Sequence, residues 1–230
     1  MKPYYRDDYV TIFNCDCREI ASKIGPFDLV LTDPPYRHAH IGGSGFKCEK
    51  KYKSGALDGM NDFVLADFSF SLLSLAPMLV AFCSRDLLPD YAALARASSR
   101  KFDLHFWHKT NAIPFTKNTW KSDVEYIALM WSRRPGWKQC PQKMHSKVFS
   151  SGTYRDPAHP TAKPIKLMEK YIEILAAQTI VDPFAGAGST GRAAKNLGRK
   201  AVLIEVEERY CEIAARRLEQ EILPLHEKQK

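Results

Sequence analysis

Asp33-Pro34-Pro35-Tyr36 is the stretch of this chain whose residue types and order most directly suggest chemistry. Two successive prolines fix both φ angles and remove two N–H donors, and Pro35 pushes residue 34 into extended backbone. What remains is rich in acceptors: the Asp33 carboxylate and the Pro34 carbonyl. Beside them stands Tyr36, an aromatic plane able to stack on a flat ring. An exocyclic NH2 on a nucleobase has two protons to donate and a ring to stack, which matches this set of groups. The same four residues also suit a turn that merely ends a strand.

A second candidate lies about 150 residues downstream, where Asp182-Pro183-Phe184-Ala185-Gly186-Ala187-Gly188-Ser189-Thr190-Gly191 follows the apolar run Thr179-Ile180-Val181. Gly186, Gly188 and Gly191 fit the spacing G-x-G-x-x-G between a strand and a helix, the context that lifts this pattern above chance. Glycines admit a ligand close to the backbone, and a helix N-terminus supplies free N–H groups. Glu205 ends the next strand and is placed to hold a ribose diol. Alone, this set suits NAD as well as other nucleoside cofactors, or a glycine turn for tight packing.

The elements that must position these groups follow a βαβ rhythm. A strand is expected over Tyr9–Phe13, a short helix over Arg18–Ile24, and a buried strand from Phe27 to Thr32 that delivers Asp33. After a helix over 63–75, strands are expected at Met78–Cys83, Phe102–His108 and Val124–Trp131, with a helix through Tyr91–Ser98. The last two strands lack a crossover helix and so predict an antiparallel pair at one sheet edge. Helices over Ile165–Ala177, Arg192–Leu197 and Glu207–Glu221 complete the pattern, with strands at Thr179–Asp182 and Ala201–Ile204. In open α/β sheets ligands gather at the carboxyl ends of strands, where both motifs fall.

At 230 residues and 45% hydrophobic content, the chain can bury one sizeable core and reads as a single domain. No apolar run approaches the roughly 18 to 20 residues of a membrane span, and the start lacks a signal-peptide core, so a cytoplasmic protein is expected. The six cysteines form no CxxC pair, and Cys15-x-Cys17 with His38-x-His40 lacks the usual ligand spacing, so no metal site is expected. The net charge of +8 is concentrated in 37–60 and 96–155, which points to a polyanion partner. Residues 37–61 combine Gly42-Gly43-Ser44-Gly45 with Lys47, Lys50, Lys51 and Lys53 and read as a mobile lid. Lys109, Asn111, Lys117, Trp120 and Lys121 interleave an aromatic, an amide and cations, as suits a stacked base and a phosphate track. Residues 133–158, opening on Arg133 and Arg134, read as a small basic insertion that recognises the target.

Together with His159-Pro160-Thr161-Ala162-Lys163-Pro164, these motifs resemble those of the DNA amino-methyltransferases, and their order resembles the β class of that family. The similarity covers nearly the whole chain. It implies a Rossmann-like α/β methyltransferase fold: a mixed seven-stranded sheet with one reversed edge strand and helices on both faces. It further implies S-adenosylmethionine as methyl donor, held by Asp182, Phe184, Gly186, Gly188, Ser189 and Thr190 with Asp33, and by Glu205 on the ribose. By the same likeness Asp16 and Cys17 lie at the adenine of the cofactor, and His159, Thr161 and Lys163 close over its methionine end. The chain departs from the family pattern at Cys15, where Gly is frequent.

The implied partner is double-stranded DNA. Asp33, Pro34, Pro35 and Tyr36 are then the catalytic set, acting on a base flipped from the duplex. Asp at the first position resembles the adenine-N6 enzymes. Cytosine N4 is the alternative, an NAD-dependent oxidoreductase leaves Asp33–Tyr36 without a task, and an inactive nucleic-acid-binding module is the rival from a different class. Relatives commonly form homodimers.

Overall fold

The computed structural model describes residues 2–20, 23–34, 72–112, 120–133, 135, 140–153 and 162–220. Expectations for Pro35, Tyr36, the 37–61 segment with its four lysines, Lys117, Arg134, His159 and Thr161 fall outside them.

Nine strands form one sheet: β1 (Tyr5–Arg6), β2 (Val10–Asn14), β3 (Leu29–Thr32), β4 (Met78–Cys83), β5 (Lys101–Lys109), β6 (Val124–Trp131), β7 (Val148–Ser151), β8 (Thr179–Asp182) and β9 (Lys200–Glu205). Their order is β1-β2-β9-β8-β3-β4-β6-β5-β7. The stretch from β2 to β4 is parallel throughout, whereas β6 runs against both β4 and β5. The sheet is therefore mixed, as expected, but with more strands. The seven from β2 to β5 are extended by the hairpin strand β1 and by β7, and the reversed strand β6 is enclosed rather than at the edge.

β3 and β4 are buried at every position, which is why they read as unbroken apolar runs rather than alternating ones. Their side chains still alternate between two cores. Leu29, Leu31, Met78, Val80 and Phe82 face one apolar cluster, and Val30, Leu79, Ala81 and Cys83 face the other. The first cluster is closed by α3 (Ile165–Ile174), α4 (Ser189–Asn196) and α5 (Glu208–Glu219), through Leu167, Ala193 and Ala214 among others. The second takes α1 (Cys17–Ile20), residues 72–75 and α2 (Leu88–Ala97).

One local expectation is corrected. The helix expected over Ile165–Ala177 stops at Ile174, because Ala176 turns to φ +52° and the Ala177 N–H donates back to the Ile172 carbonyl at 3.0 Å. Within the 133–158 segment, Val148–Ser151 pairs in parallel with β5 as strand β7.

Candidate active site

Because β2, β9, β8, β3 and β4 are parallel neighbours, their carboxyl ends share one edge. That edge carries Asp16 just beyond β2, Glu205 ending β9, Asp182 ending β8, and Asp33 just beyond β3. Four carboxylates from sequence-distant segments thus meet on consecutive strands.

Asp182 is buried and fully engaged. Oδ1 accepts the Thr32 hydroxyl at 2.8 Å and the Phe184 N–H at 3.1 Å, and Oδ2 accepts the Thr190 hydroxyl at 2.6 Å. Burial pushes its carboxyl up to about 6, against the opposing pull of these donors. It ties the glycine loop to the end of β3. Thr32, next to Asp33 at the end of β3, is a partner of Asp182 that no motif in the sequence singles out.

The loop after Asp182 is shaped by its glycines. Gly188 stands at φ +77°, and a Cβ there would lie 2.8 Å from Ala214 Cβ on α5. Gly191 lies inside α4 rather than before it. A Cβ at this position would meet Leu203 Cδ1 at 2.6 Å, so the residue that suggests a helix boundary in sequence serves helix–sheet contact. Glu205 clasps the loop from β9: Oε2 accepts the Gly186 N–H at 2.8 Å and Oε1 the Glu207 N–H at 2.9 Å. Burial raises its carboxyl, and these two N–H groups pull it back. Ser189 Oγ accepts from Arg217 Nη1 at 3.2 Å.

At the β2 end, Asn14 Nδ2 donates to the carbonyls of Glu205 and Val206 at 3.0 and 2.9 Å. The Cys15 N–H reaches the Glu205 carbonyl at 3.2 Å. Among the described residues only Ser99 and Ala176 are non-glycines at positive φ, so Cys15 fits its turn without the freedom of glycine. The side chain of Asp16 pairs with Arg18, which holds its carboxyl below the usual range. Burial pushes the Cys17 thiol up to about 12, so it stays protonated at neutral pH.

Lys163, expected at the methionine end of the cofactor, lies beside Asp33. Only 7% exposed, it places Nζ 2.5 Å from Asp33 Oδ2 and 3.4 Å from Glu125 Oε2, with the Phe82 ring 5.2 Å away. Glu125 in turn meets Lys109 Nζ at 2.6 Å through Oε1. Glu125 was not foreseen. The available signal was a lone carboxylate second in an otherwise apolar strand.

The described basic candidates separate. Lys109 and Lys121 lie at the same edge as Asp33, Lys109 in its ion pair and Lys121 exposed. Asn111 is committed within the fold: Oδ1 accepts the Thr153 N–H at 2.6 Å, and Nδ2 donates to the Thr153 carbonyl at 3.1 Å. Arg133 follows the reversed strand β6 and so emerges at the opposite edge, 3.7 Å from Asp28 and 65% exposed. A groove of about 680 Å³ lies elsewhere, between β7 and the α3–α4 pair. No helix among the described residues is long and apolar enough to cross a membrane, and no cluster of metal-ligating side chains occurs among them.

Two relatives match nearly end to end. Type II methyltransferase M2.LlaDCHI of Lactococcus lactis subsp. cremoris is 28% identical, with 94% of this chain and 92% of that protein covered. Type II methyltransferase M2.DpnII of Streptococcus pneumoniae is 29% identical, with 96% and 93% covered. Among solved structures, the M1.HpyAVI–SAM complex superposes with a TM-score of 0.71 at 25% identity, covering 92% of this chain and all of that one. The family model described as DNA methylase, of the N6/N4 type, matches residues 27–216, a span that begins before Asp33 and ends beyond Glu205. This chain belongs to the N6/N4 DNA methylase family.

Proposed function

We propose that this protein transfers a methyl group from S-adenosylmethionine to the N6 amine of adenine in DNA. The observation that carries the reading is the position of Asp33: it follows the central strand β3, beside β8 and the glycine loop that leaves β8 at Asp182. The residues suit that donor. Glu205 is fixed by two backbone N–H groups, which preorganises a carboxylate for a ribose diol, and the acidic edge favours a cationic sulfonium. When bound, the cofactor supplies an electrophilic methyl group.

An exocyclic amine is a poor nucleophile because its lone pair is delocalised into the ring. Asp33 and the Pro34 carbonyl, accepting its two protons, draw the nitrogen toward tetrahedral geometry and stabilise the positive charge that develops. A carboxylate has about four acceptor sites, so an ammonium and an amine proton can share it. The amine must leave the duplex to reach this edge, with Tyr36 as stacking partner and Lys109 and Lys121 near the phosphates. Asp as first residue of the tetrapeptide favours adenine over cytosine.

The test is incubation with methyl donor and mixed-sequence DNA, followed by nucleoside analysis. N6-methyladenine is expected, and N4-methylcytosine in its place overturns the choice of base. Asp33→Ala should abolish transfer while donor binding, measured at equilibrium, persists. Transfer above a few per cent of the parent rate would count against the role given to Asp33.

A further inference from the structure

Four charged side chains alternate in sign across the active edge: Asp33, Lys163, Glu125 and Lys109. They come from the end of β3, the segment before α3, the start of β6 and the end of β5. Lys163 is buried against the Phe82 ring and lies between two carboxylates, much closer to Asp33 than to Glu125. Glu125 Oε2 is buried and makes no hydrogen bond, so its contact with Lys163 is electrostatic. Its other oxygen is occupied by Lys109, which rests 5.3 Å from the Trp107 ring centroid.

An ammonium devoted to one carboxylate withdraws negative potential from it and weakens it as a hydrogen-bond acceptor. An ammonium shared with a second carboxylate withdraws less. We propose that Glu125 is a positioning residue that shares the charge of Lys163 and thereby sets the acceptor strength of Asp33. Lys109 is the counterweight, since it neutralises part of Glu125 and limits that sharing. The proposal rests on the role given to Asp33 above, and adds Glu125 from the reversed strand β6 and Lys109 from its neighbour β5, which no motif contains.

The other titratable groups that face Asp33 are Asp182, at the end of β8, and the Cys83 thiol, at the end of β4. Each feels the Asp33 charge, and burial raises both. Neither changes in the variants below, so the sign of the response belongs to Glu125 and Lys109.

The experiment is a carbon-13 NMR titration of aspartate-labelled protein, with the Asp33 resonance assigned through Asp33→Asn, beside the pH profile of methyl transfer. Glu125→Gln keeps volume and removes charge. It should lower the Asp33 midpoint by about one pH unit and shift the acidic limb of kcat/KM the same way. It should also reduce kcat roughly tenfold, with KM for donor and DNA little altered. Lys109→Met should move the Asp33 midpoint in the opposite direction, upward. This second variant decides the matter if Glu125→Gln fails to fold. Unchanged midpoints, or shifts of the same sign in both variants, overturn the proposal, as does a Glu125→Gln variant altered only in thermal stability. If the midpoints move in opposite directions in a protein that methylates nothing, the charge sharing stands and the functional reading fails. If the parent enzyme methylates DNA and the midpoints stay fixed, the functional reading stands and the charge sharing fails.

Discussion

Lys163 shows how much one side chain's partner matters. The family resemblance ties it to the methionine end of a cofactor, and the folded chain sets it between the carboxylates of Asp33 and Glu125. Breaking such a partly buried pair leaves charge uncompensated. Lys163→Met should therefore cost about 3 kcal/mol at neutral pH, measured by urea unfolding. Asp182 teaches a related lesson, because three donors consume its carboxylate in holding the loop. Its carboxylate thus shapes the glycine loop. Its raised carboxyl also opposes folding once ionised, so this group's contribution to stability declines as pH rises from its ordinary value of 3.8 through about 6.

At the level of elements, the strands were the most legible features. Met78–Cys83, Val124–Trp131 and Thr179–Asp182 occupy the residues that their apolar, β-branched and aromatic character marks out. Helix ends were harder to place, since Leu175, Ala176 and Ala177 are all acceptable in a helix and only packing turns the chain at Ala176. An alanine in left-handed backbone is strained where glycine is not. Ala176→Gly should accordingly stabilise the protein by roughly 0.5 to 1 kcal/mol, a rise in Tm of about 2 °C by calorimetry. The short strand β7 escaped notice because Val148-Phe149-Ser150-Ser151 has no pattern of its own and becomes a strand only by pairing with β5.

Across the whole molecule, the first and last thirds of the chain are joined at the N-terminal hairpin. Asp7 accepts from Lys195 Nζ at 2.6 Å, from the N–H groups of Val10 and Tyr9 at 2.7 and 2.8 Å, and from the Tyr5 hydroxyl at 3.0 Å. Burial alone would raise its carboxyl, but these donors outweigh burial and hold it at about 2. A depressed acid adds stability above its unfolded value of 3.8 and loses it as pH falls through about 2. Asp7→Asn should thus destabilise the protein by about 1 to 3 kcal/mol near neutrality. In acid-unfolding curves the gap to the parent should close between about pH 4 and pH 2.

The chemistry-bearing motifs, the α/β class and most strands were determined by sequence alone, because apolar runs, proline and glycine act through local backbone preference and burial. Contacts across the sheet were decided only by tertiary structure. Thr32 reaches Asp182 across 150 positions and Lys163 reaches Asp33 across 130. Glu125 joins that network from β6, a reversed strand expected at the sheet edge and instead enclosed between β4 and β5. The same reversal carries Arg133 to the far edge. Side-chain type states what a residue can bond, whereas strand order and direction determine which residues stand within reach.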